Sequence, residues 1–200
     1  MDQNQTSNTN QRKGRWKLMA VLLVCAAPMI ASYLTYYVIK PSGRTNYGTL
    51  LDPKAHPIPQ LGALTLDGKP SGLEAYKGKW VMLNVDGGAC EQACKDQLVQ
   101  MRQLRIMTGK DRDRVERVWL VTDNTPLDTV LMKVIEGTDM LRVQPEAVAK
   151  WLPVEQGGNA ADHIYLIDPL GNLMMRFPKN AEPAKVKKDI GKLLKASAIG

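Results

Sequence analysis

The chain has 200 residues, 44% hydrophobic and 24% charged, which excludes an intrinsically disordered chain and allows one domain with a sizeable core plus appendages. The formal net charge is +7, but Arg12, Lys13, Arg15 and Lys17 precede an apolar run and Lys40 follows it. Residues 41–200 keep 22 of the 27 Lys/Arg and 19 of the 20 Asp/Glu, a surplus of only +3, so the folded part lacks the overall basic field of a nucleic-acid binder and no nucleic-acid partner is expected.

The apolar run, Leu18 to Val38, contains 21 residues and no charge. As a helix it spans about 30 Å, the thickness of a bilayer's hydrocarbon core. Trp16 stands before it and Tyr33, Tyr36 and Tyr37 near its far end, where aromatic side chains meet the membrane interface. Pro28 is tolerated in such a helix, and Cys25 reads as a small apolar side chain within it. Twenty-one apolar residues exceed the core of a cleaved signal peptide, so an uncleaved anchor is expected. The basic cluster keeps the tail in the cytoplasm and sends the remainder across. The expected organisation is a cytoplasmic tail (1–17), a transmembrane helix (18–39), a linker (40–60) and a folded domain (61–200). The expected location is a bacterial inner membrane, crossed once, with the domain in the periplasm.

Residues 41–60 hold Pro41, Pro53, Pro57 and Pro59 and read as extended linker. Asp67-Gly68 marks a hairpin turn, and residues 79–86, KWVMLNVD, form a buried β-type run. Helical spacing follows from Cys90 to Met107, ended by Gly109. Residues 117–122, RVWLVT, read as a second buried strand. A helix capped by Thr125, with Pro126 at its first position, is expected to run to Gly137. PEAVAKWL reads as a short helix. HIYLIDP and LMMRFP read as strands joined at DPLGN, and residues 181–197 as a closing amphipathic helix. Strands alternating with helices, then a strand-turn-strand, predict an α/β thioredoxin-like fold: a central mixed sheet flanked by helices.

Two cysteines remain outside the anchor. Cys90 follows a strand and a Gly87-Gly88 turn, and it is expected to open the helix. At a helical spacing of four, Cys94 lies one turn on, on the same face. A helix N-terminus favours thiolate over thiol. Such a pair can form a disulfide if the first turn loosens, or can hold a soft metal such as Cu(I). As a purely structural staple it would contribute little, because the loop it closes is very short. Of the two histidines, His56 lies in the linker and His163 just ahead of IYLIDP. An imidazole added to two thiolates makes a Cys₂His set suited to copper, with Asp86 or Asp162 available to orient the ring.

GGACEQAC after a strand, VWLVTDNTPLDTVLMKVI and DHIYLIDPLGNL together resemble the Sco/SenC proteins, membrane-anchored thioredoxin-like copper proteins of cytochrome c oxidase assembly. The resemblance covers roughly residues 57–197. It implies Cys90, Cys94 and His163 as copper ligands, Cys90 and Cys94 as the redox pair, and oxidase subunit II or another assembly factor as partner. The chain departs from the family's pattern at Glu91 and Lys95, where proline is usual, and in placing His163 only two residues before Tyr165. Three functions stay open: a copper-binding assembly factor, a metal-free thiol-disulfide oxidoreductase of TlpA type, and a non-catalytic assembly partner that retains the fold.

Overall fold

The computed structural model describes residues 6–39 and 46–199. They belong to two compact units, the first ending at Thr45 and the second beginning at Asn46. Asp2, Lys40 and the opening of the expected linker lie outside the described residues.

The first unit is one helix, α1 (Thr6–Leu34), continued by a turn of π-helix over Thr35–Ile39. Within it Arg15–Val38 is long and apolar enough to cross a membrane, and none of that span is buried. Pro28 lies inside the helix.

The second unit is a seven-stranded mixed sheet with helices on its faces. In chain order its elements are β1 (Thr49–Leu50), β2 (Leu64–Thr65), β3 (Trp80–Asp86), α2 (Gln92–Met107), β4 (Val115–Val121), α3 (Thr129–Val134), β5 (Asp139–Arg142), α4 (Pro145–Trp151), β6 (Tyr165–Ile167), β7 (Leu173–Arg176) and α5 (Pro183–Ala196). The strand order is β1-β7-β6-β3-β4-β5-β2. β3, β4 and β5 run parallel, while β6, β7, β1 and β2 join antiparallel. This is the thioredoxin-like α/β architecture that the alternation of strand and helix patterns predicts.

The central strands β3 and β4 are buried along nearly their whole length and mostly apolar, because both faces are covered. Val81, Leu83 and Val85 of β3 and Val118 and Leu120 of β4 pack toward Trp151 and Leu152. Trp80 and Met82 alternate to the other face, against Met101 and Leu104 of α2 and Val186 and Ile190 of α5. Beyond them on α2, Leu98 packs with Trp119, Val121 and both cysteines.

Four elements differ from the sequence expectation. β5 falls in a stretch to which the sequence assigns no element; its four residues are too short to display an alternation, and its strand character comes from pairing with β4. α3 begins three residues later than expected: Asp128, not Thr125, caps it, accepting from the backbone N–H groups of Val130 and Leu131 at 2.8 and 3.4 Å. α2 begins at Gln92, two residues after Cys90. β1 lies in the stretch read as linker and pairs with β7.

The start of this unit is fastened by a buried charge. Asp189 of α5 is 2% exposed, and its Oδ2 accepts from the backbone N–H groups of Tyr47 (2.6 Å) and Gly48 (3.0 Å). Lys192 donates to its Oδ1 at 3.2 Å. Gly48 leaves room for this approach, since a Cβ there would meet the Met175 Sδ at 2.6 Å. Asp189→Ala is expected to leave the buried Gly48 N–H and the partly buried Tyr47 N–H unpaired and to cost about 2–4 kcal/mol of stability, read by urea denaturation; early proteolytic cutting near residues 46–52 should accompany it.

Candidate functional site

Cys90 and Cys94 are joined as a disulfide, with their Cα atoms 5.1 Å apart. The reason lies in the backbone of Cys90. It is not on the helix: it sits just ahead of the N-cap Glu91, at φ +41, a left-handed conformation that few non-glycine residues adopt. Its N–H closes a turn onto the Gly87 carbonyl at 3.2 Å. The turn brings Cys90 back over the first turn of α2, where Cys94 lies. The loosening that a disulfide at this spacing requires is thus the displacement of Cys90 from the helix.

The disulfide is enclosed. Cys90 is 2% exposed and Cys94 1%. Leu98, Trp119, Val121, Leu131 and Ile135 surround the pair, and Leu127 packs against the same group. Leu127 belongs to a strap, residues 122–128, that links β4 to α3. Polar contacts hold the strap from three sides. The Asp123 Oδ1 accepts from the Gly88 N–H and the Thr125 N–H, each at 2.9 Å. Arg142 of β5 donates to the backbone carbonyls of Asp123 and, at 3.2 Å, of Thr125. Lys95 of α2 lies 3.8 Å from Asp128. Gly88 is required here: a Cβ on it would come 2.5 Å from the Thr125 carbonyl.

Acidic groups gather at the same end of the sheet. The Gly88 and Thr125 N–H bonds outweigh partial burial and hold the Asp123 carboxyl below its ordinary value. Burial pushes the Asp86 carboxyl up, and the charges of Glu91, Asp123 and Asp162 add to that shift, against the Gly87 N–H bond. Asp162 is held low, chiefly by Lys179 at 2.7 Å.

His163 is buried, 1% exposed, and lies just before β6 in extended backbone. Strand alternation places it with Tyr165 and Ile167, on the sheet face packed by Trp151, whereas the cysteines pack with Trp119 and Val121 on the α2 face. Its Nδ1 lies 2.9 Å from the Phe177 carbonyl, which selects the tautomer protonated at Nδ1. Its Nε2 is buried without a partner. The ring stands edge-on to Tyr165, centroids 5.9 Å apart. The group that orients the ring is therefore a backbone carbonyl, not Asp86 or Asp162 as the sequence suggested. A polar relay ties the segment before His163 to α2: Asn84 donates to the Gln97 Oε1 (2.6 Å), and the Gln97 Nε2 donates to the Ala161 carbonyl (3.0 Å).

In this oxidised state the donor set does not fit a metal, because each cysteine sulfur is bonded to the other. Among the described residues no group of three or more His, Cys, Asp or Glu side chains is arranged to hold an ion.

Residues 80–197 match the family model described as "Transmembrane-like, thioredoxin-like, C-terminal domain", and residues 9–38 match "Transmembrane-like, N-terminal domain". The chain belongs to this transmembrane-like family. Its α1 is accordingly the family's N-terminal element, and its second unit carries the thioredoxin-like part. No curated protein matches the chain in sequence. Among solved structures, a SCO1/SenC family lipoprotein from Bacillus anthracis is similar at 21% identity over 72% of this chain and 99% of that one, with a TM-score of 0.53. Yeast Sco1 with copper bound aligns at 14% identity, 78% and 97% coverage and a TM-score of 0.56. A thiol:disulfide interchange protein from Bacteroides sp. aligns at 16%, 72% and 91%, with 0.52. The resemblance to Sco/SenC proteins holds at the level of fold.

The strap escaped the sequence reading. The spacing of Asp123 and Thr125 is an Asx-turn signal, but Arg142 sits in a strand too short to recognise.

Two outcomes are expected. Leu127→Ala and Arg142→Gln each remove about 1–2 kcal/mol of strap contact, so dithiothreitol should reduce the disulfide roughly 5–30 times faster, counted by maleimide mass shift over the constant background of Cys25. The second concerns pH. Because the folded-state pKa of Asp86 lies above its unfolded value, ionising it weakens the folded state as pH rises through that interval. Asp86→Asn should therefore raise the thermal midpoint at pH 7 and leave it unchanged near pH 3, below both values.

Proposed function

We propose that this protein is a membrane-anchored thiol-disulfide protein of Sco-like character, with Cys90 and Cys94 as its redox pair. The observation that supports this reading is the disulfide itself, formed across a strained turn where β3 meets the positive end of α2. A short-loop bridge adds little stability, and a left-handed cysteine has a conformational cost, so the arrangement suits a bond that opens and closes.

In the reduced state the Cys90 thiolate, favoured by the α2 N-terminus, attacks a partner's disulfide. A mixed disulfide forms, and the partner's other sulfur leaves as a thiolate and takes a proton. The Cys94 thiolate then attacks the Cys90 sulfur and releases the partner's second thiol, leaving the Cys90–Cys94 disulfide. Two electrons pass to the partner, and a membrane or soluble dithiol restores the pair.

The anchor reading goes with this function. Residues 1–17 lie in the cytoplasm, 18–39 cross the bilayer of a bacterial inner membrane, and the second unit stands in the periplasm, where thiol pairs are oxidised. The partner is oxidase subunit II or another assembly factor.

A second reading is copper binding by the reduced pair with His163. The bare, buried Nε2 of His163 favours it: Nε2 carries the lone pair a metal needs, and two thiolates with an imidazole are donors suited to Cu(I); because His163 lies on the face opposite the cysteines, this reading requires the segment before β6 to turn over.

One set of variants separates the readings. Cys94→Ala in the full chain should trap a mixed disulfide through Cys90, seen on non-reducing gels and abolished by Cys90→Ala. His163→Ala should leave this trapping unchanged. The copper reading adds uptake of about one Cu(I) per reduced chain, lost in any of the three variants; no uptake at sub-micromolar copper rejects it. A Cys94→Ala protein that traps nothing, while the reduced unsubstituted chain takes up copper, overturns the redox reading.

A further inference from the structure

The +3 surplus of residues 41–200 has a single location. α5 and its N-cap carry Lys185, Lys187, Lys188, Lys192 and Lys195 against Glu182 and Asp189, a balance of +3 that equals the whole surplus; the rest of the unit is electrically balanced. Val186, Asp189, Ile190 and Leu194 are buried, and Lys185, Lys187, Lys188 and Lys195 are exposed. Of these four, Lys185 pairs with Glu182 at 2.7 Å. α5 is therefore an amphipathic helix with a basic outer face.

The same helix receives the incoming chain. Asp189, in the middle of α5, binds the backbone of Tyr47 and Gly48. Only eight residues separate Tyr47 from Val38, the end of the apolar span, and whatever their course they reach at most about 30 Å. Tyr47 and Gly48, a short tether beyond the apolar span in sequence, are thus fixed to the basic helix.

We infer that the outer face of α5 docks on anionic phospholipid headgroups of the membrane that holds the anchor. The inference rests on the anchor reading above. A lysine near an anionic bilayer contributes roughly 1 kcal/mol, and a tether replaces the cost of finding the surface with a high local concentration. Neither signal need be strong alone, because an anchor and a polybasic patch act together.

The test is lysine footprinting of the full-length protein in nanodiscs, with an amine-acetylating reagent and peptide mass spectrometry. In discs with about 30 mol per cent phosphatidylglycerol, Lys187, Lys188 and Lys195 should label about threefold more slowly, or slower still, than in phosphatidylcholine discs, and roughly 0.5 M NaCl should abolish the difference. Lys54 and Lys69, off this helix, should label equally in both. Equal labelling of the α5 lysines in the two discs at low salt overturns the proposal and leaves the anchor standing. Protection that ignores lipid charge but follows addition of an acidic membrane protein also overturns it, in favour of a protein partner. A chain that fails to enter discs at all removes the anchor reading, and this proposal with it.

Discussion

The site depends on the parallel pairing of β3 with β4. The two strands run in register from Trp80 opposite Val115 to Asp86 opposite Val121, so they end at the same level. The Thr122 N–H then closes onto the Asp86 carbonyl at 3.0 Å. Whatever leaves β3 must lie beside whatever leaves β4. The cysteine turn leaves one strand and the strap leaves the other, and Gly88 lets them approach closely enough for Asp123 to bind across the gap. Burial of both faces of these strands makes the juxtaposition rigid, since a slip of one residue would exchange Leu83 and Val118 with Met82 and Trp119.

The consequence is a disulfide with two opposing properties. The backbone beneath it is strained and the helix dipole favours its reduced form, which argues for exchange. Leu127, Leu131 and Trp119 shield it from solvent, which argues against attack by a casual thiol. A partner that displaces the strap would gain access that free thiols in solution lack. The acidic groups at this end of the sheet bias the choice further, because Asp86, Glu91, Asp123 and Asp162 repel an approaching anion.

The sheet and its order of helices were legible because long buried runs such as VMLNV and VWLV state their state without help from neighbours. The thiol pair was legible from its place after a strand and before a helix. The placement of Cys90 outside the helix was not: its backbone is set by the turn onto Gly87, a tertiary choice invisible to helical periodicity. β5 and Arg142 were hidden for a related reason, since four residues gain strand character only by pairing with β4. His163 was read as standing just ahead of a strand, and it does, yet the face it takes was not legible. Residue parity with Tyr165 decides the face, and parity counts only once the strand's limits are known.

The central proposal is that the Cys90–Cys94 pair changes redox state. A redox titration of the full-length chain in lipid, with free thiols counted by mass spectrometry, tests this most directly. The account predicts that Cys90 and Cys94 titrate together as one two-electron couple at a potential above about −300 mV. A pair that stays oxidised well below that potential would be a structural staple and would contradict the account.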